Sequence, residues 1–329
     1  MSAVWTTRLW LRAIACRTPA RFPVAGRAWR GAAAAVLAVA LLGAPGTARA
    51  ANPDGVAVAS LFLPGLGQII NGDYAAGAAH MGITFNLAGH YFDLTESPEY
   101  IKPQDQNDEA THTIRMNMTT FKASFYGAAL NGVNFYSVFG AYRDARAAPG
   151  SSGRYSTPVP GESLVDLALA PFKPDHLLRW TTALPLVFPM YIAFSKAKAD
   201  DWVIAPAPDI TRTDMRRGYP AMMGFVAVGE EAFFRGYLNN SLSSWLGPGW
   251  GLVTSSAVFG LAHTGDAGTA NRGVAFLYGL YLGSLQQMND YGIGQGVALH
   301  YWWNTLVSLA LLKERPNAQV TLYDLYLQF

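Results

Sequence analysis

The sequence predicts an all-α protein, a polytopic bundle of about seven or eight transmembrane helices after an N-terminal signal-like segment. Of the 329 residues, 51% are hydrophobic and only 14% are charged, whereas ordinary soluble domains carry about 25% charged residues. Beyond residue 51, apolar windows of helical length alternate with polar connections. The period-two alternation that is typical of half-buried strands is absent from these windows.

Residues 1–50 have the composition of a targeting segment. They hold seven arginines and no acidic residue, and an apolar run over residues 32–43 precedes the small residues Ala48 and Ala50. This order of a basic stretch, a short apolar run and a small-x-small site is typical of a secretory signal. We therefore predict a signal peptide or an uncleaved N-terminal anchor over residues 1–50.

The charge of the remaining chain excludes some classes of function. Residues 51–329 carry 17 basic and 22 acidic side chains, so the basic character lies in the leader and gives no reason to expect nucleic-acid binding. The single cysteine, Cys16, also lies in the leader. Thiol catalysis, disulfides and cysteine metal sites are thereby excluded from the body of the chain.

The body is predicted to have three regions: an N-terminal membrane region with polar loops over 51–174, a core over 175–313 and a C-terminal tail over 314–329. A stretch over 55–70 breaks at Pro64 and Gly65, and residues 164–172 are compatible with an interfacial helix. The predicted membrane helices are the apolar windows 75–92, 119–141, 178–197, 217–238, 247–263, 272–288 and 293–312.

The window 217–238 contains three charged residues, Glu230, Glu231 and Arg235. Each charge at the centre of a membrane helix costs roughly 2.5–3.5 kcal/mol on insertion scales, so these residues must pair or face a polar cavity. Glu231 and Arg235 are four residues apart, which favours an ion pair, whereas Glu230 is turned about 100° away. One carboxylate is then held and the other is free for proton chemistry. A purely structural charge network remains the alternative.

Two later windows each place a histidine in a pair with i, i+4 spacing. Phe259 and His263 form the first pair, and His300 and Asn304 form the second. Single buried histidines are usually core residues, but two on separate helices beside a Glu-Glu-Arg helix favour a catalytic site. His80 and His90 have no such partners and are predicted to be structural or interfacial.

These three signatures, in this order on successive apolar segments, resemble the CPBP family over about residues 175–313. The family comprises the CAAX prenyl proteases and the bacteriocin-processing and bacteriocin-immunity (Abi-like) proteins. The resemblance implies an intramembrane endopeptidase in which Glu230 activates water and His263 helps to hold that water. It implies that His300 and Asn304 stabilise the oxyanion, with Glu231, Arg235 and Phe259 in support.

The cofactor remains open between none and a divalent metal such as zinc. Glu230, His263 and His300 have the residue types of a His₂Glu catalytic zinc site. However, the HExxH motif of many zinc proteases is absent. The family resemblance is compatible with a metalloprotease and with a glutamate-dependent enzyme.

Two other classes of function remain as alternatives to the protease. One is a non-catalytic membrane scaffold or bacteriocin-immunity-type protein of the same fold. A transporter would predict two similar halves, yet the Glu-Glu-Arg helix has no counterpart elsewhere. The protease hypothesis predicts a multi-pass protein of the bacterial inner (cytoplasmic) membrane. Its partners are the lipid bilayer and a membrane-embedded or lipid-anchored protein or peptide substrate, with no nucleic acid.

Overall fold

A computed structural model describes residues 52–108, 113–149, 155–159, 161–194, 203–263 and 269–312. The predicted leader over 1–50, Cys16 and the predicted tail over 314–329 lie outside the described residues. The described chain is mostly helical, as the sequence predicts. The predicted domain boundaries remain predictions.

The first helices form a short hairpin. Helix α1 (Pro53–Phe62) is capped by the Asn52 side chain, which accepts from the backbone N–H of Asp54, and α2 (Leu66–Ile70) follows directly. The chain turns at Gly65, which has a φ of 92° and donates its N–H to Ser137 Oγ at 2.8 Å. A Cβ atom at Gly65 would lie 2.2 Å from the Gly77 carbonyl oxygen, so only glycine fits this turn. The predicted break of the 55–70 stretch is therefore confirmed.

Helix α5 is the long central element of the N-terminal region. After α3 (Tyr74–Thr95) and α4 (Pro103–Gln106), the chain forms α5 (Met118–Ala147), which starts at an Asn117 cap. Helix α5 packs against α1 and α3 on one side. On the other side it contacts the helix that carries Glu230, and so it connects the two halves of the chain.

Three short strands form a small sheet that the sequence did not predict. Strands β1 (Asn107–Asp108) and β2 (Thr113–Met116) are antiparallel, and β3 (Val203–Pro206) pairs in parallel with β2. Strands of two and four residues are too short to show a period-two pattern. The segment before α5 and the much later segment at residues 203–206 therefore come together in one sheet.

The segment before the core consists of short helices and one longer helix. Helix α6 (Leu164–Leu169) continues into a 3-10 turn (Ala170–Phe172) and is followed by α7 (Pro174–Leu177). Helix α8 (Trp180–Phe194) contains Pro185 and Pro189. The helical character predicted for residues 164–172 is confirmed.

The core contains the remaining helices. Helix α9 (Arg212–Glu230) begins before the predicted window because Thr211 and Asp214 form a capping box. A π-helical segment (Glu231–Asn239) extends α9 directly and leads into α10 (Asn240–Leu246). The chain continues as α11 (Pro248–Ala262), α12 (Thr269–Met288) and α13 (Gly294–Leu311).

Two buried apolar clusters hold the core helices together. One cluster joins α5, α9 and α13, and the other joins α11, α12 and α13. Helix α13 contributes to both clusters and therefore lies at the centre of the core. The helices expected from the apolar windows are present, but none within the described residues combines the length and apolar content needed to cross a bilayer.

Candidate active site

Three backbone elements place the predicted site residues. Glu230 is the last residue of α9, His263 caps the C-terminus of α11, and His300 lies in α13. All three side chains are buried: Glu230 and His300 are 1% exposed and His263 is 8% exposed. Three ionisable groups from separate helices thus lie inside the packed core.

The ion pair predicted from the sequence forms inside the π segment. Arg235 Nη1 donates to Glu231 Oε1 at 2.9 Å, and the guanidinium carbon of Arg235 lies 4.2 Å from the centre of the Phe259 ring. Arg235 Nη2 is 3.5 Å from the carbonyl oxygen of Gly279. Because Glu231 is fully buried, its charge depends on Arg235 for compensation. The i→i+5 backbone of this segment differs from the α-helix assumed for the sequence, but it keeps the pair together.

The hydrogen bonds of the two histidines fix where each neutral ring carries its proton. His263 Nδ1 lies 2.7 Å from the Phe259 carbonyl oxygen, and His300 Nδ1 lies 2.8 Å from Glu231 Oε1. A carbonyl oxygen and an arginine-paired carboxylate can only accept, so both Nδ1 atoms must donate. In a neutral ring the Nε2 atom then has a lone pair and acts as an acceptor.

Both Nε2 atoms face the same carboxylate oxygen. Glu230 Oε2 is 3.7 Å from His263 Nε2 and 3.9 Å from His300 Nε2. These distances exceed those of direct hydrogen bonds, and Glu230 Oε2 is buried with no hydrogen-bond partner among the described residues. Three acceptors therefore converge without a donor. A proton on one Nε2 atom, or a donor such as water among them, removes the conflict.

Asn304 is the site residue that the structure does not join to the others. It lies one helical turn after His300 on α13 and is 7% exposed. Its backbone carbonyl oxygen accepts a hydrogen bond from Ser308 Oγ at 2.8 Å. Within the described part of the chain, no hydrogen bond connects its side chain to Glu230, His263 or His300. The geometry therefore brings Glu230, His263 and His300 together, and the role of Asn304 in the site remains a prediction.

A metal ion fits this arrangement only in part. Each histidine directs Nε2 inward while Nδ1 donates to an oxygen, which is the outer contact that metal-bound histidines usually make. However, no group of three or more His, Cys, Asp or Glu side chains among the described residues is arranged to hold a metal. The metal set Glu230, His263 and His300 is therefore not assembled in this structure.

Sequence reasoning missed a buried amide pair next to the π segment. Asn239 Nδ2 donates to Gln286 Oε1 at 2.6 Å, and Gln286 Nε2 donates to the Arg235 carbonyl oxygen at 2.7 Å. Gln286 is 2% exposed on α12. The available signal was a polar Gln286-Gln287 pair inside an apolar window, which does not reveal which of the two is buried.

A buried glutamate that faces two histidines inside a helical bundle defines a candidate hydrolase site. Residues 218–306 match the family model described as Rce1-like, type II CAAX prenyl endopeptidase. This match contains all three signatures and confirms the predicted resemblance to the CPBP family. It supports a CAAX-type protease domain in this part of the chain. No curated protein and no solved structure is significantly similar to the chain.

Proposed function

We propose that the protein is an intramembrane endopeptidase in which Glu230 activates water to hydrolyse a peptide bond. The observation that carries the proposal is the convergence of two histidine Nε2 atoms on the unpartnered Glu230 Oε2. Buried acceptors without donors reduce stability. This arrangement is understandable if the site holds a water molecule whose two hydrogens satisfy two of the acceptors.

The proposed reaction uses each group at a stated atom. Glu230 takes one proton from water as the water oxygen attacks the scissile carbonyl carbon, and His263 Nε2 accepts a hydrogen bond from the second hydrogen, which stays on that oxygen. Glu230 then passes its proton to the departing amine. A positioned base of this kind typically contributes about 10²–10⁴-fold to the rate.

The oxyanion requires donors, which we assign to His300 and Asn304. Because His300 Nδ1 already donates to Glu231, its Nε2 can donate only when the ring is a doubly protonated imidazolium. Glu231 Oε1 at 2.8 Å would balance that charge. With this proton, two negative and two positive groups cancel within the buried cluster. Removal of one oxyanion donor typically costs about 10²–10³-fold in kcat.

We propose a multi-pass location in the bacterial inner membrane, with the lipid bilayer and membrane-embedded or lipid-anchored proteins as partners. The Rce1-like family is membrane-embedded in general, and it suggests peptide or prenylated protein substrates. Large apolar side chains on α8 favour a lipid environment, since Trp180, Leu184 and Phe194 are 72%, 66% and 77% exposed. Exposed apolar surface of this kind marks an interaction face.

The test of the proposed base is the variant Glu230→Gln, which keeps shape and hydrogen-bonding capacity. In detergent or proteoliposomes, we expect cleavage of a membrane-tethered peptide reporter to fall about 10²–10⁴-fold while the thermal midpoint stays unchanged. Glu99→Gln is the matched control because Glu99 accepts from Thr119 Oγ1 in a distant polar loop. Full activity of Glu230→Gln would exclude this mechanism, and the absence of cleavage by the wild-type protein would favour a scaffold or immunity-type protein of the same fold.

Chelation decides between the glutamate-dependent and the metal-dependent form. The wild-type protein is dialysed against a strong chelator, its zinc content is measured by mass spectrometry, and cleavage is assayed before and after zinc is restored. We propose the glutamate-dependent form, so activity is expected to survive in zinc-free protein. Loss of activity that zinc alone restores would establish a metalloprotease.

A further inference from the structure

A backbone carbonyl of the π segment accepts a hydrogen bond from a side chain of another helix. The carbonyl oxygen of Arg235 accepts from Gln286 Nε2 at 2.7 Å. A buried carbonyl gains stability from a donor that replaces water, so this bond stabilises the π conformation over Glu231–Asn239. Gln286 is therefore bound to the middle of the segment.

The same amide also binds the end of the segment. Gln286 Oε1 accepts from Asn239 Nδ2 at 2.6 Å. Asn239 Oδ1 in turn accepts from Ser243 Oγ at 3.3 Å and from Ser255 Oγ at 3.2 Å. The Gln286 side chain on α12 thus fixes two points of the π segment that lie four residues apart. Its amide nitrogen donates to Arg235, and its amide oxygen accepts from Asn239.

These contacts continue from Gln286 to the candidate active site. Gln286 holds the Arg235 backbone, and the Arg235 side chain holds Glu231 Oε1 at 2.9 Å. Glu231 Oε1 accepts from His300 Nδ1 at 2.8 Å, which leaves His300 Nε2 facing Glu230 Oε2. A displacement of the Arg235 backbone would therefore change the ring orientation of His300 without any contact between Gln286 and the site.

We propose that Gln286 is a positioning residue of the active site. It fixes the π segment so that Glu231 holds the proton of His300 on Nδ1 and directs Nε2 toward Glu230. The proposal rests on the proposed function for its kinetic consequences, but its structural consequence, the tautomer of His300, does not depend on activity.

The first test compares Gln286→Met with Gln287→Met. Methionine has a similar length but cannot donate to the Arg235 carbonyl. Gln287 is adjacent on α12 and donates outward to the Pro248 carbonyl oxygen at 2.8 Å, so it is the matched control. Misplacement of a catalytic group by about 1 Å, even through a distant mutation, can cost about 10²-fold in rate. We expect a loss of that size in kcat for Gln286→Met, with KM unchanged, and wild-type values for Gln287→Met.

The second variant, Gln286→Glu, separates positioning from packing and applies if Gln286→Met does not fold. A carboxylate still accepts from Asn239, but only a protonated carboxyl can also donate to the Arg235 carbonyl. We therefore expect kcat of Gln286→Glu, relative to wild type, to recover as the pH is lowered. A loss of the same size at every pH would overturn the proposal.

Nuclear magnetic resonance of ¹⁵N-labelled histidine rings gives the readout that is independent of cleavage. His300→Gln assigns the signals. In the substrate-free wild-type protein the neutral His300 ring, before it takes up the second proton that the oxyanion step requires, is expected to carry its proton on Nδ1. Gln286→Met is expected to produce a mixture of tautomers, whereas Gln287→Met is not. If the wild-type protein cleaves no substrate, the proposed function fails and this spectrum still decides the role of Gln286. A wild-type His300 spectrum in folded Gln286→Met would overturn the proposal.

Discussion

Two of the buried polar clusters in the described part of the chain are built in opposite ways. Near the C-terminus of α5, Arg146 is 4% exposed and donates to acceptors at normal distances. Its Nη1 lies 2.7 Å from Tyr142 Oη and 2.9 Å from Asn240 Oδ1, and its Nη2 lies 2.6 Å from the Thr157 carbonyl oxygen. At Glu230, by contrast, acceptors face one another across 3.7–3.9 Å.

The contacts of the Arg146 cluster are accounted for by their contribution to folding, whereas the arrangement of the Glu230 cluster is not. Around Arg146, both terminal nitrogens of the guanidinium have acceptors at 2.6–2.9 Å, so folding alone accounts for these contacts. Around Glu230, the groups stay separated, and neither Glu230 Oε2 nor the neighbouring Glu231 Oε2 has a hydrogen-bond partner among the described residues. Sites that are arranged against stability are typical of function. We therefore expect variants of the first cluster to change stability and variants of the second to change activity.

The largest expected effect is on cleavage by His263→Gln. This variant removes the Nε2 acceptor that faces Glu230, so activity should fall about 10²–10⁴-fold. His90→Gln is the matched control, since His90 is exposed and stacks on Tyr126 with ring centres 4.9 Å apart. Reporter cleavage at equal concentrations of folded protein measures both. Equal losses of cleavage activity in His263→Gln and His90→Gln would contradict a special role for the Glu230 cluster.

Glu231→Gln should affect stability as well as activity. Removal of one partner of a buried ion pair typically costs about 3–5 kcal/mol, because Arg235 would keep an uncompensated charge. Asp144→Asn is the control, since the Arg143–Asp144 pair is partly exposed and such pairs contribute about 0–1 kcal/mol. Thermal or denaturant unfolding in detergent measures both, and similar midpoints would refute the dependence on burial.

Arg146→Met should destabilise the protein without changing its chemistry. The variant leaves the acceptors Asn240 Oδ1 and the Thr157 carbonyl without this donor, and such a loss costs about 1–3 kcal/mol. Cleavage per folded molecule should remain at the wild-type value. Reduced kcat in fully folded Arg146→Met would show that the two clusters are coupled.

Gly229→Ala should disturb both stability and activity, because it acts on the helix contact beside Glu230. A Cβ atom at Gly229 would lie 2.4 Å from the Gly132 Cα atom of α5. Overpacking of this kind typically costs about 1–3 kcal/mol. Gly224→Ala is the control, since its Cβ would meet nothing within 4 Å and removal of a helical glycine stabilises by about 0.5–1 kcal/mol. Relative to wild type, we expect the unfolding midpoint to fall in Gly229→Ala and to rise in Gly224→Ala.

The smallest effect concerns acid stability at the start of α9. Hydrogen bonds from the Thr211 hydroxyl and backbone N–H hold the pKa of Asp214 below its ordinary value of 3.8. A carboxyl with a lowered folded-state pKa contributes stability that is complete above its ordinary pKa and is lost as the pH falls through the lowered value. Unfolding midpoints measured below pH 4 should therefore decline less steeply in Asp214→Asn than in wild type. Parallel declines would contradict this assignment.

The sequence predicted the parts that depend on local pattern. The apolar windows correspond to helices, the break at Gly65 is present, and the spacing of Glu231 and Arg235 anticipated their ion pair. The three signatures indicated a family that the match over residues 218–306 confirms.

The rest depends on contacts between distant residues. The π segment is supported by Gln286, which lies 51 residues after Arg235. The histidine tautomers follow from the positions of a carbonyl and a carboxylate. The small sheet joins β2 to β3, which are separated in the sequence by the four helices α5 to α8, and its strands are too short to recognise. No single-sequence pattern contains this information.

The approach of Gly132 to Gly229 also bears on how such proteins can diverge. The family match begins at residue 218, yet the residue before Glu230 lies directly on a helix that precedes the match by about one hundred residues. A graft of residues 218–306 onto an unrelated N-terminal half would carry every signature residue but not the glycine on which α9 rests. A larger residue at position 132 would therefore have to be accompanied by a changed path of α9.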